Sequence, residues 1–156
     1  MKMSSPTTAP ASRRPATAWW LSLGLTLVGL GVSIYLTWVK LTDNLAACGP
    51  IGDCESVNSS RYAEIAGIPI ALLGALGYLA VLAFLAAERW LPSQVENLHM
   101  GVFGVALIGT LYSAYLTYIE VAVLRAVCPY CVISAVAMTA IFVISILRLR
   151  AAANVA

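Results

Sequence analysis

Four cysteines are the side chains in this sequence best able to do chemistry, and they fall in two pairs. Cys128-Pro129-Tyr130-Cys131 has C-x-x-C spacing. Cysteines at that spacing can close a disulfide across one helical turn, and Pro129 suits a first helical position, where a missing N–H costs nothing. A helix starting there presents unpaired N–H groups and a partial positive charge, which favour thiolate over thiol. A lowered pKa makes a cysteine a better leaving group and a usable nucleophile. The other pair, Cys48 and Cys54, brackets Gly49, Pro50 and Gly52, all turn formers. Such a pair can close, open and swing, so one of its cysteines can attack the helix-start pair through a mixed disulfide. The spacing also suits an inert structural bridge or half of a zinc site. The connecting segments around the cysteines add no histidine and no second C-x-x-C, so no metal is expected.

The elements that must position these pairs are legible in the composition. Of 156 residues, 61% are hydrophobic and only 10% charged. A soluble domain carries roughly 25% charged residues, so this chain has too little polar surface to face water all round. A net charge of +2, scattered along the chain, excludes a nucleic-acid surface. Four apolar segments pass the length test for membrane spans: Trp19 to Val39, Ile68 to Ala87, Met100 to Ile119 and Cys128 to Leu147. About 20 residues at 1.5 Å each cover the ~30 Å hydrocarbon core. Lipid offers no partner to an open backbone, so the spans must be helical. The expectation is an all-α integral membrane four-helix bundle. Trp19, Trp20, Trp38, Trp90 and Tyr118 sit near segment ends, where an aromatic belt belongs.

With four spans, both termini share a side with the loop around Arg89. That side holds Lys2, Arg13, Arg14, Arg89, Arg148 and Arg150, against Lys40, Arg61 and Arg125 opposite. The excess places the termini in the cytoplasm of a multi-pass plasma-membrane protein. All four cysteines then fall on or near the exported face, where disulfides form and persist. Residues 1–16 read as a disordered cytoplasmic tail, 17–149 as the transmembrane domain and 150–156 as a short cytoplasmic tail. The long exported loop, 42–67, joins the first two spans and carries Cys48 and Cys54. Arg13-Arg14 reads as a positive-inside anchor rather than a twin-arginine signal. Leu45-Ala46-Ala47-Cys48 resembles a lipoprotein box, but Lys40, Thr42, Asp43 and Asn44 separate it from the apolar run it should abut. Ser59 to Ile65 suggests one or two surface turns, and Pro69 suits the first turn of the second span.

Ser33-Ile34-Tyr35-Leu36-Thr37 and Ser113-Ala114-Tyr115-Leu116-Thr117 form a weak repeat, each followed eleven positions after its threonine by a cysteine. Two polar patches therefore lie about a turn below the cysteine layer. His99 reads as interfacial at the cytoplasmic edge, Arg61 and Glu64 as loop anchors, and Glu120 with Arg125 as a solvated pair.

The loop pair, the following Ser59-Ser60-Arg61-Tyr62, then Gly67-Ile68-Pro69, and C-P-Y-C opening the fourth span together resemble the vitamin K epoxide reductase (VKOR) family in its bacterial four-helix form. The resemblance runs from about Trp19 to Leu147. It implies a membrane oxidoreductase in which Cys48 and Cys54 shuttle electrons to an active-site pair, Cys128 and Cys131, beside a quinone of menaquinone or ubiquinone type. It further implies that Cys54 attacks Cys128, that Cys48 exchanges with the thiol partner, and that Cys131 faces the quinone. Many bacterial members carry a fused thioredoxin-like domain. This chain stops at Ala156, so the expected partner is a separate DsbA-like thioredoxin-fold protein. Tyr115, Ser113, Thr117 and Tyr35 are candidate hydrogen-bond partners for the quinone, with helix–helix packing as their other role. The unrelated DsbB-type disulfide oxidases also have four spans and four cysteines, but their C-x-x-C lies in the first exported loop. A non-enzymatic membrane protein with structural disulfides is the remaining alternative.

Overall fold

In the computed structural model, which describes residues 16–42, 44, 47–48 and 52–154, the apolar segments are α1 (Ala16–Leu41), α3 (Ile70–Trp90), α4 (Val95–Tyr118) and α5 (Pro129–Ala153). The short helix α2 (Cys54–Asn58) lies in the loop between α1 and α3. α4 continues into a π-helical turn, Ile119–Leu124. All four long helices are long and apolar enough to cross a membrane, so the protein is an all-α, multi-pass membrane bundle. α1 packs on α3 and α5, and α4 packs on the same two helices, which closes the ring. The N-terminal tail, Arg13-Arg14, most of the lipoprotein-like box and the Gly49-Pro50 turn lie outside the described residues.

The bundle buries a few hydroxyls within an apolar core and turns further apolar side chains outward, as a bilayer requires. Ser22, Thr26, Ser33, Thr37 and Ser145 are buried, while Trp20, Leu27, Ile34, Ile108, Leu111 and Val136 face outward. The buried threonines of α1 satisfy themselves within the helix: Thr26 donates to the Ser22 carbonyl and Thr37 to that of Ser33, both at 2.7 Å. The central apolar cluster is Tyr78, Val81, Leu85, Val102, Ala106, Met138 and Ile141. Tyr78 threads it and donates its hydroxyl to the Ser134 carbonyl at 2.7 Å, tying α3 to α5.

Two local expectations are corrected and a third gains partners. Pro69 is the N-cap of α3 rather than part of its first turn, and it pairs with Glu64 in a small hairpin of β1 (Glu64–Ile65) and β2 (Ile68–Pro69). Ala66 and Gly67 both have positive φ there, 52° and 80°, matching the primed turn that suits paired strands. His99 lies at the bundle end away from the cysteines, as expected, and is tied to charged neighbours there. Its Nε2 lies 2.8 Å from Arg148 Nη2, which also binds Glu88 at 2.5 Å. This cluster pins α3, α4 and α5 together at the end of the bundle away from the cysteines. Glu120, expected in a solvated pair with Arg125, is buried in the π-helical turn. At the same end as His99, Trp19 donates Nε1–H to the Leu85 carbonyl at 3.1 Å and carries the Arg89 guanidinium 4.1 Å above its ring.

The α1–α3 contact depends on a missing side chain. A Cβ on Gly29 would overlap the Tyr78 ring, whereas one on Gly31 would meet nothing within 4 Å. Gly29→Ala should therefore destabilise the bundle by about 1–3 kcal/mol through overpacking. Thermal unfolding in detergent should show a lower midpoint for Gly29→Ala and no loss for Gly31→Ala.

Candidate active site

The first thing that places the site is the start of α5. Cys128 is its N-cap, with extended backbone (φ −97°, ψ 110°), and Pro129 occupies the first turn. The left-handed conformation of Arg125 (φ 52°) ends the π-helical turn and swings the chain into this cap. Cys128 and Cys131 are both free thiols. The Cys131 thiol, hydrogen-bonded to the Cys128 sulfur, holds the Cys128 pKa below the ordinary thiol value, against the opposing effect of burial. The helix start thus presents a sulfur biased toward thiolate.

The loop is fastened directly onto this helix start. Asp53 caps α2 by accepting the Ser56 N–H at 3.1 Å, and its own N–H donates to the Val127 carbonyl at 3.1 Å. Gly52 lies flat against Pro129: a Cβ there would come 2.5 Å from the proline Cδ. On the other flank, two tyrosines grip the residue before Cys48. The Tyr35 hydroxyl accepts the Ala47 N–H at 3.0 Å, and Tyr130 donates its hydroxyl to the Ala47 carbonyl at 3.1 Å. Their rings lie 5.2 Å apart. Lys40, at the end of α1, donates to the Asn58 carbonyl at 2.9 Å and pairs with Glu64 at 3.1 Å.

These ties set the sulfur geometry. Cys48 and Cys54 are joined in a disulfide with their Cα atoms 6.0 Å apart. The Cys128 Sγ lies 3.3 Å from Cys54 Sγ, so the free thiol meets the bridge at its Cys54 end. Attack there forms a Cys54–Cys128 bond and releases Cys48. Exposure separates the roles further: Cys54 and Cys128 are each 1% exposed, while Cys48 is half-exposed. An outside thiol can reach this relay through Cys48 and not through the buried pair. The sulfurs of Cys48, Cys54 and Cys128 lie within 4.8 Å of one another, but the disulfide removes two of them from the thiolate form a metal needs.

Below Cys131 a cavity of about 430 Å³ runs between the helices. Its walls are mainly apolar, including Leu36, Ile108, Leu116 and Met138, and Ile108 is 70% exposed on the outer, lipid-facing side. Polar groups sit near its cysteine end: Ser33, Tyr112, Ser113, Thr117 and Glu120. Of the four residues considered for quinone contact, Ser113 and Thr117 line this cavity. Tyr35 is at the loop clamp, and Tyr115 is half-exposed, off the cavity. The sequence repeat thus reproduces a local bond, since Thr117 donates to the Ser113 carbonyl at 2.9 Å as Thr37 does to Ser33. The two copies place their tyrosines differently.

Glu120 is the functional candidate that the sequence reading missed. It is not a solvated partner of Arg125. It is 5% exposed, and its Oε2 accepts the Cys128 N–H at 3.3 Å, while Arg125 is exposed and forms no ion pair with it. The sequence signal was a lone acid eight residues before C-x-x-C, attached to an apolar span. Nearness to Arg125 in sequence masked it.

Two comparisons agree with this geometry. The model of the vitamin K epoxide reductase family matches residues 20–146. Thiol-disulfide oxidoreductase LTO1 of Arabidopsis thaliana is 34% identical over 119 residues, which cover 72% of this chain and 31% of the relative. The chain thus spans about a third of that protein's length.

The Gly52–Pro129 contact carries the loop into place, so Gly52→Ala should slow exchange between the loop and Cys128. A displacement costing about 1.4 kcal/mol at the exchange barrier is a tenfold loss of rate. Quench-and-alkylate kinetics of the Cys54–Cys128 bond should show that loss, with Glu55→Ala on the exposed side of α2 unchanged.

Proposed function

This chain belongs to the vitamin K epoxide reductase family, and on that footing we propose that it is a quinone-linked thiol-disulfide oxidoreductase that reoxidises a thioredoxin-fold partner of DsbA type. The carrying observation is the 3.3 Å approach of Cys54 and Cys128. A partner thiolate attacks the half-exposed Cys48, forming a mixed disulfide as Cys54 leaves as thiolate, and the partner's second thiolate then displaces Cys48, which closes the partner's own disulfide. Cys54 then attacks Cys128 of an oxidised Cys128–Cys131 pair and releases Cys131. The loop pair closes again when the freed Cys48 displaces Cys128, leaving Cys128 and Cys131 reduced. Each step exchanges one S–S bond for another, so two electrons move inward with no net change elsewhere. The conformation with Cys48–Cys54 bonded and both helix cysteines free corresponds to the moment after that transfer.

The cavity fits a quinone in size and lining. Its volume lies within the ~300–1,000 Å³ of small-molecule sites, its walls are apolar, and it touches Cys131. A quinone bound there supplies a two-electron, two-proton acceptor. Ser113, Thr117 and Tyr112 would orient the ring, and the apolar walls keep water from the thiols. The name of the Arabidopsis relative, a thiol-disulfide oxidoreductase, is consistent with the reaction class. The lysine and arginine asymmetry supports termini in the cytoplasm and cysteines on the exported side of the plasma membrane.

Replacing Cys131 removes the sulfur that resolves the mixed bond. In Cys131→Ala, the Cys54–Cys128 disulfide should accumulate on non-reducing gels and in peptide maps, and quinone reduction by added thiols should cease. Full quinone reduction by that variant would overturn the role assignment.

A further inference from the structure

Making or breaking the Cys128–Cys131 bond moves protons as well as electrons, at a place that water reaches poorly: Cys128 is 1% exposed and Cys131 only half-exposed. One carboxyl group faces both sulfurs. Glu120 lines the cavity with Cys131, and its Oε2 accepts the Cys128 N–H at 3.3 Å. Cys128, Cys131 and Glu120 line the same cavity, which brings the carboxyl group beside both sulfurs. Glu120 is 5% exposed and, among the described residues, has no cation at ion-pair distance. An ionisable group buried in a spanning element without a counter-charge marks a proton path. Its backbone is also placed deliberately: the Glu120 carbonyl takes the N–H groups of both Arg125 and Ala126, closing a π-helical turn, a feature concentrated at functional sites.

We propose that Glu120 is the proton acceptor and donor of the active-site pair, taking the proton of Cys131 as the Cys128–Cys131 bond forms and returning it when that bond is reduced. On oxidation, Cys128 enters as thiolate and Cys131 as thiol. The S–H bond of Cys131 breaks, its proton passes to Glu120, and the S–S bond forms. Two electrons leave the sulfurs for an acceptor that, under the reading above, is a quinone. A quinone bound there would take up two protons, of which Glu120 would supply one and water at the membrane surface the other. In the reverse direction, Glu120 has regained a proton from water at the membrane surface, Cys54 attacks Cys128, and Glu120 protonates the departing Cys131 sulfur. The destination of the electrons rests on the quinone-linked reading; the proton transfer does not.

Glu120→Gln separates proton transfer from support, because the amide oxygen still accepts the Cys128 N–H but holds no proton. Purified protein would be reduced with dithiothreitol and reoxidised with diamide while infrared difference spectra are recorded. The wild type should gain a protonated-carboxyl band on oxidation, and Glu120→Gln should lack it. The glutamine variant should also form and break the Cys128–Cys131 bond about 100-fold more slowly, with reduction of Cys48–Cys54 by dithiothreitol unchanged. Glu120→Asp should keep a shifted band and recover at least part of the rate. No carboxyl band in the wild type, or wild-type rates in Glu120→Gln, would overturn the proposal. So would an aspartate variant as slow as the glutamine one, which would make Glu120 only a structural tie. A carboxyl band with diamide in a protein that short-chain quinones fail to reoxidise would support Glu120's role and remove the quinone reading instead.

Discussion

Thiol–disulfide exchange is a displacement at sulfur, and it proceeds only where the attacking sulfur can touch the bridge from the right side. In this protein that requirement is met by one contact, between Cys54 on a loop and Cys128 at a helix start, 3.3 Å apart. The surrounding structure holds the two elements in that register. The Asp53–Val127 hydrogen bond and the Gly52–Pro129 packing fix the loop on one side of the disulfide, and the Tyr35–Tyr130 grip on Ala47 fixes it on the other. Lys40 anchors the far end of the segment through Asn58 and Glu64. None of these ties touches the Cys48 sulfur itself, which leaves the half-exposed member of the pair accessible from outside.

The bilayer imposes the second constraint. Four helices must show apolar surface outward, so the polar atoms that chemistry needs can only point inward. Hydroxyls that serve no reaction are quieted by their own helix, as at Thr26 and Thr37. The charges at the end away from the cysteines neutralise one another in the Glu88–Arg148–His99 cluster. Glu120 stands apart from both solutions, since its hydrogen-bond partner is the Cys128 backbone N–H rather than a cation. The cavity that begins beside it opens toward the lipid face at Ile108, which is where a membrane-soluble electron acceptor would arrive.

Much of this was written in the sequence. Run lengths of apolar residues identified four spans because a bilayer fixes the length a helix must have, and the observed helices contain nearly all of each expected segment. The two cysteine pairs were legible because their spacing and neighbours, Pro129 above all, carry local chemistry. What depended on tertiary placement was not. Tyr35 and Tyr115 occupy equivalent places in the repeat, yet one holds the loop and the other lies off the cavity, because only α1 has the loop folded over its end. Glu120 was hidden by a π-helical turn, which no hydrophobic periodicity signals. Pro69 suited a helix start by its own geometry, but the Ala66–Gly67 turn drew it into strand pairing with Glu64.

The account stands or falls on which sulfurs bond to which. Wild-type protein in native membranes, poised across a range of thiol–disulfide ratios, acid-quenched and mapped by mass spectrometry, reports this directly. The expected bonds are Cys48–Cys54, Cys128–Cys131 and, at intermediate poise, Cys54–Cys128. Absence of a Cys54–Cys128 bond at every poise, or bonding of Cys48 to Cys131, would contradict the relay.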